Sequence, residues 1–127
     1  MIKTDEEILQ IVKECCEKGE MPECVGQISV EFVDPQTIGN KKSGTYKHNS
    51  IFQIQLNRKR WLNLSDSEKI YIIKKESCFI LASIRMGKPI KPDGEEWRYF
   101  AFLTDTIKAK SENDPDDVTV FLASGEW

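Results

Sequence analysis

Between Ser65 and Gly87 the chain carries a helix signal strong enough to constrain everything around it. Ser65 followed three residues later by Glu68 is a capping box, in which each partner satisfies a backbone N–H that a first helical turn leaves without one. Gly87, with Pro89 beyond it, stops the helix. Between these signals Ile70, Ile73, Ser77, Ile80, Leu81 and Ile84 run along the helix, and Tyr71, Ile72, Phe79 and Ala82 extend the apolar surface nearly all round. Such a helix is stable only when other elements cover it, so it belongs at the centre of a domain. The chain has 127 residues, 39% hydrophobic and 31% charged, which suits one core built around that helix without metal or disulfide staples.

The covering elements follow from changes of period. Thr4 and Glu7 form another capping box, and Ile8, Ile11, Val12 and Cys15 keep helical spacing up to Gly19, which is expected to close the helix. From Ile28 the period falls to two: Ile28, Val30 and Phe32 alternate with Ser29 and Glu31, as in a half-buried strand that Asp34 and Pro35 end. A polar loop through Gly39 and Gly44 leads to a hairpin, Thr45–Lys47 and Ile51–Leu56, turning at His48, Asn49 and Ser50. In its second strand Phe52, Ile54 and Leu56 face one way, Gln53 and Gln55 the other. A third helix is expected near Asp93 and Gly94, with Trp97, Phe100, Ala101 and Leu103 on its apolar side. The reading is therefore α+β: a small antiparallel sheet packed against a helix bundle with a central long helix. It makes one domain of residues 1–127, with its core over about 4–110. An acidic linker, 111–117, leads to a C-terminal strand or tail, 118–127.

Charge and cysteine usage narrow the classes of function. The net charge is −3, so no global basic field favours phosphate backbones. The run Arg58, Lys59, Arg60 beside Trp61 offers a local patch for nucleic acid, against the plainer reading of a solvated turn next to a core Trp. No apolar run approaches the roughly 20 residues that span a bilayer, and Met1 leads straight into charged residues without a signal-peptide pattern. An intracellular protein is expected, with Cys15, Cys16, Cys24 and Cys78 as thiols packed in the core. A disulfide involving Cys24 is the alternative in an organism that tolerates intracellular disulfides.

From Gly44 to Phe102 the chain resembles the SprT-like family, to which the Spartan-type zinc proteases belong. The order of elements is similar, and so is the strand that ends in Leu56-Asn57 before the long helix. In the family that helix carries H-E-x-x-H, a basic Gly- and Pro-containing linker follows, and an H-G-x-x-W/F segment opens the next helix. Here those places read Lys75-Glu76-Ser77-Cys78-Phe79, Gly87-Lys88-Pro89-Ile90-Lys91-Pro92 and Asp93-Gly94-Glu95-Glu96-Trp97. The resemblance implies a zincin-like fold. In it, two histidines four apart hold zinc on one helical face, the intervening Glu acts as general base, and a third histidine arrives from the next segment.

The departures from that pattern bear on function. The histidine positions fall on Lys75, Phe79 and Asp93, and only the base position, Glu76, is kept. Phe79 has no ligand atom and a protonated Lys75 has no lone pair. The single histidine of the chain, His48, lies in the hairpin turn. One carboxylate beside Glu76 falls short of the three protein ligands of a catalytic zinc site, and without zinc Glu76 has no activated water to serve. Lys75 is expected to replace the charge of the metal between Glu76 and Asp93, with Phe79 filling the volume. The alternative is that Lys75 snorkels to solvent.

Other chemistries find less support. Cys78 turns away from the aligned face and lacks a histidine base. The carboxylates Glu95, Glu96, Asp114, Asp116 and Asp117 do not show calcium-loop spacing. The aromatics Trp61, Trp97, Tyr99, Phe100 and Phe102 keep the spacing of core residues more than of base-stacking platforms. The sequence thus predicts a non-catalytic module with no cofactor and no metal, acting on a protein partner as decoy, scaffold or inhibitor. A virus, phage or mobile-element source would suit so compact a module. A peptidase with a rearranged metal site and a nucleic-acid contact through Arg58–Arg60 are the competing readings.

Overall fold

The computed structural model describes residues 5–91, 94–106 and 120–124. Helix α1 spans Asp5–Lys18, and a 3-10 segment over Pro22–Gln27 leads into β1, Ile28–Val33. A short turn of helix, α2, covers Pro35–Ile38 before strands β2, Ser43–His48, and β3, Ile51–Asn57. Another short turn, α3, covers Arg58–Trp61, followed by the long helix α4, Asp66–Met86, then α5, Glu95–Leu103, and strand β4, Val120–Ser124. The architecture is α+β, as the periodicities imply. Among the described residues no helix is long and apolar enough to cross a membrane.

The long helix forms where its signals place it. Ser65 Oγ accepts from the backbone N–H of Glu68 at 3.2 Å, and the Glu68 carboxylate accepts from the Ser65 N–H at 3.2 Å. At the other end Gly87 takes the left-handed conformation (φ 70°) and its N–H returns to the Ser83 carbonyl at 2.9 Å. α1 and α5 pack against α4, and β2 and β3 cover it from the sheet side. Thirteen of its 21 residues are buried, as an all-round apolar helix requires. The apolar row of β3, Phe52, Ile54 and Leu56, faces this core.

The sheet is mixed, which corrects the expectation of an antiparallel one. Its order is β1-β3-β2-β4, with β2 and β3 antiparallel but β1 parallel to β3 and β4 parallel to β2. Period-two alternation reports which face of a strand is buried, and it is the same whichever way the neighbour runs. Only the two-residue Asn49-Ser50 turn fixes a direction locally, with Asn49 at φ 55° and His48 opposite Ile51. The strand expected at the C-terminal end is present and joins the sheet. The Thr4 cap and the acidic linker lie outside the described residues.

Gly19 has a different duty from the one its sequence position suggests. Glu20, one residue later, takes the left-handed conformation after α1 (φ 61°). Gly19 is needed because a Cβ there would stand 3.1 Å from Phe100 Cδ1 and 3.2 Å from Leu81 Cδ1. The end of α1 therefore approaches α4 and α5 so closely that a side chain at position 19 would force its neighbours to shift by a few tenths of an ångström. Gly19→Ala should cost about 1–3 kcal/mol by overpacking, whereas Gly26→Ala, whose added methyl meets nothing within 4 Å, should stay within about 0.5 kcal/mol. Urea denaturation of both variants measures the difference, and equal midpoints would contradict the close packing.

Candidate functional site

Residues seven apart on an α-helix share a face after two turns, and alternate residues of a strand share a face of the sheet. Glu76 and Ser83 of α4 are related in the first way; Ser43, Thr45 and Lys47 of β2 in the second. These two rows meet where the helix crosses the sheet. Ser43 Oγ donates to Glu76 Oε2 at 2.5 Å, and Thr45 Oγ1 donates to Glu76 Oε1 at 3.0 Å. Glu76 is 0% exposed, and both hydroxyl residues are equally sealed. Each carboxylate oxygen is thus held by a fixed hydroxyl, the arrangement that makes a buried acid tolerable. A carboxylate in this setting has no contact with solvent; it ties helix to sheet.

Two other positions singled out by the resemblance, Lys75 and Phe79, are buried too. Phe79 is 1% exposed and lies in the hydrophobic core, and Lys75 is buried, with its backbone carbonyl accepting from Trp97 Nε1 at 3.1 Å. That bond fixes α5 across the middle of α4. Asp93 lies outside the described residues, so the structure describes no convergence of Lys75, Phe79 and Asp93. Among the described residues no three His, Cys, Asp or Glu side chains come together as metal ligands would. Sequence reasoning missed Ser43 and Thr45, the partners that define the role of Glu76. Their alternation on β2 was the available signal, obscured because Ser43 and Gly44 read as loop.

The basic run sits on α3, whose first turn Asn57 caps by accepting from the Lys59 and Arg60 N–H groups at 3.1 and 3.2 Å. Trp61 is core, edge-on to Phe32 at 5.5 Å between centroids, with Lys69 Nζ 5.3 Å from its ring centroid. Arg58 pairs with Asp34 at 2.8 Å and donates to the Phe32 carbonyl at 3.0 Å. Arg60 donates to the Asn40 carbonyl at 2.6 Å. Two of the three cations are therefore engaged in holding loop and strand ends. Lys59 and Arg60 line a polar cleft of about 510 Å³ together with Lys42 and Glu68, which lie 3.7 Å apart.

All four cysteines are free and buried. Burial pushes the Cys15 and Cys16 thiols from an ordinary value near 9 up to about 12. It raises Cys78 as well, against the opposing effect of its contact with Thr104 Oγ1 at 3.3 Å. A thiol held protonated near neutral pH is a poor nucleophile.

Two expected outcomes follow from this geometry. Glu76→Ala strands two buried hydroxyls and opens a cavity, so it should cost about 3–5 kcal/mol. The exposed Glu17→Ala should cost less than about 0.5 kcal/mol. A Ser43→Ala/Thr45→Val/Glu76→Leu triple variant should recover much of the loss, because no polar group is left unpaired. A triple variant less stable than Glu76→Ala alone would contradict this account. For the thiols, the unfolded chain releases the Cys15 and Cys16 protons near pH 9 while the folded chain keeps them to about pH 12. The folded state binds more protons in that window, so stability should fall as pH rises from about 9 to about 12. The fall should be shallower in Cys15→Ala/Cys16→Ala; parallel pH profiles would overturn the assignment.

Compared with known proteins, the chain matches no family model, no curated protein and no solved structure.

Proposed function

We propose that this chain is a non-catalytic, SprT-like module that binds a protein partner in extended form at a sheet edge. The observation that carries the reading is Glu76: the position a zinc protease of this pattern would use as general base is sealed between Ser43 and Thr45. Around it, Phe79 supplies no ligand atom and Lys75 is buried. Support for the binding half comes from the β2 edge, which accepts Val120–Ser124 as a parallel neighbour from Gly44↔Val120 to His48↔Ser124. β4 covers that side of β2, and a partner segment that displaced β4 would meet the N–H and C=O groups that strand addition uses. The nucleic-acid alternative is weaker, because Arg58 and Arg60 already hold Asp34 and Asn40.

Catalysis and binding are tested separately. Purified protein offered zinc and an unstructured protein substrate should show neither stoichiometric metal nor cleavage. Zinc-dependent cleavage abolished by Glu76→Gln would sink the non-catalytic reading. In a strand only alternate N–H groups face a given neighbour, so Phe121→Pro/Leu122→Pro must remove at least one β2–β4 ladder bond. That variant should bind fluorescent ten-residue β-forming peptides several-fold more tightly than the parent, read by anisotropy. Unchanged or absent binding would count against the β2 edge as the docking place.

A further inference from the structure

The C-terminal end of α4 and the N-terminal end of α5 meet beside a cleft of about 250 Å³. Ala82 and Phe100 are the buried part of its lining, while Met86 and Tyr99 are 43% and 45% exposed. Charges of both signs stand around it: Arg85 from the last turn of α4, Glu95 and Glu96 from the first turn of α5. Each opposes the partial charge of its own helix end, which accounts for its place in the sequence. That does not account for opposite charges lining one small cleft without closing on each other. Among the described residues neither carboxylate and no guanidinium N–H takes part in a hydrogen bond or an ion pair.

The guanidinium is held by rings instead. Arg85 Cζ lies 4.9 Å from the Tyr99 ring centroid and 6.0 Å from that of Phe100, and the two rings stand nearly perpendicular, at 82°. Attraction to ring faces positions the cation without using its five N–H donors in hydrogen bonds, and the residue is exposed. Glu95 is exposed as well, and Glu96 is half-buried. A lone carboxylate entering the cleft would gain Arg85 but face two acids. A lone ammonium would gain the acids but face Arg85. A molecule carrying both charges side by side can turn each toward its opposite, while an apolar body covers Ala82, Met86 and Phe100. The volume lies below the range of drug-sized ligand sites, at the scale of a single amino acid.

We propose that this cleft binds a free α-amino acid with an aliphatic side chain. Its carboxylate is held by the Arg85 guanidinium, its ammonium by the Glu95 and Glu96 carboxylates, and its side chain lies against Ala82, Met86 and Phe100. The site is separate from the strand edge and from Glu76, so it stands whether or not the chain is a protease relative.

The test is a titration of the full ¹⁵N-labelled chain with L-leucine. 3-Methylbutylamine and 4-methylpentanoate, which each lack one of its two charges, are the comparisons. Leucine should shift the backbone amides of Met86, Glu96 and Tyr99, with saturation in the millimolar range. Either analogue should bind about tenfold more weakly, as loss of a charge-assisted contact does. Arg85→Gln and Glu95→Gln/Glu96→Gln should each weaken leucine about tenfold with the fold intact, because none of the three side chains is buried. Arg98→Gln, which removes an exposed cation outside the cleft, should leave the affinity unchanged. No shifts up to about 20 mM, or equal binding of either analogue, would overturn the amino acid as ligand. Unchanged affinity in either cleft variant, or an equal loss in Arg98→Gln, would overturn the site.

Discussion

A carboxylate with no exposed surface must be satisfied inside the fold, and the way Glu76 is satisfied sets how α4 lies on the sheet. Its two oxygens take hydroxyls from Ser43 and Thr45, both on β2. Two anchored directions fix the rotation of the helix about its own axis as well as its distance from the strand. Apolar contacts alone would leave that rotation loosely determined, because α4 is apolar nearly all round and many faces would serve. Once the rotation is set, Ser83 must return over the same strand two turns later, and the 74/78/82/85 side must face α5. That side accordingly carries Lys74 to the Thr104 carbonyl at 3.1 Å, Cys78 beside Thr104, and Arg85 over Tyr99 at 4.9 Å.

The second constraint is how near the covering helices come. Trp97 reaches the Lys75 carbonyl and so places α5 along α4. Gly19 lets the end of α1 close against both, with Phe100 and Leu81 filling the space a methyl would need. Phe100 is consequently shared among three helices, and its burial depends on Gly19 as much as on its own position. Buried lysines are managed in the same economical way: Lys69 lies over Trp61 and Lys47 over Phe52, where aromatic faces stabilise a cation partly removed from water.

Much of this was legible in the residues. The Ser65–Glu68 box, the Gly87 stop, the alternating Phe52-Ile54-Leu56 row and the apolar side of α5 all describe local physics, and each appears where the sequence puts it. What was illegible depends on partners far apart in the chain. The direction of β1 against β3 is set across a loop that carries no pairing signal. Glu76 announces itself as an acid in a buried helix, but its partners lie more than thirty residues earlier. The short helices α2 and α3 are each one turn long, below the length at which periodicity distinguishes a helix from a loop. The acceptors that hold Arg58 and Arg60, Asp34, Phe32 and Asn40, are likewise distant in sequence, so the run alone did not show what those cations do.

The same buried seam bears on whether a protease ancestry is physically sensible. A general base that serves a metal-bound water must reach a cleft, whereas Glu76 points its two oxygens into the sheet. An acid losing its metal partner has two stable outcomes in a packed interior: replacement by an apolar residue, or capture by donors close at hand. The hydroxyls of Ser43 and Thr45 represent the second. They would hold the acid whether or not a metal ever stood beside it, so an acid at position 76 argues for structural need as strongly as for descent. Ser83 presents the opposite case on the same helix face: a buried hydroxyl with no hydrogen-bond partner among the described residues.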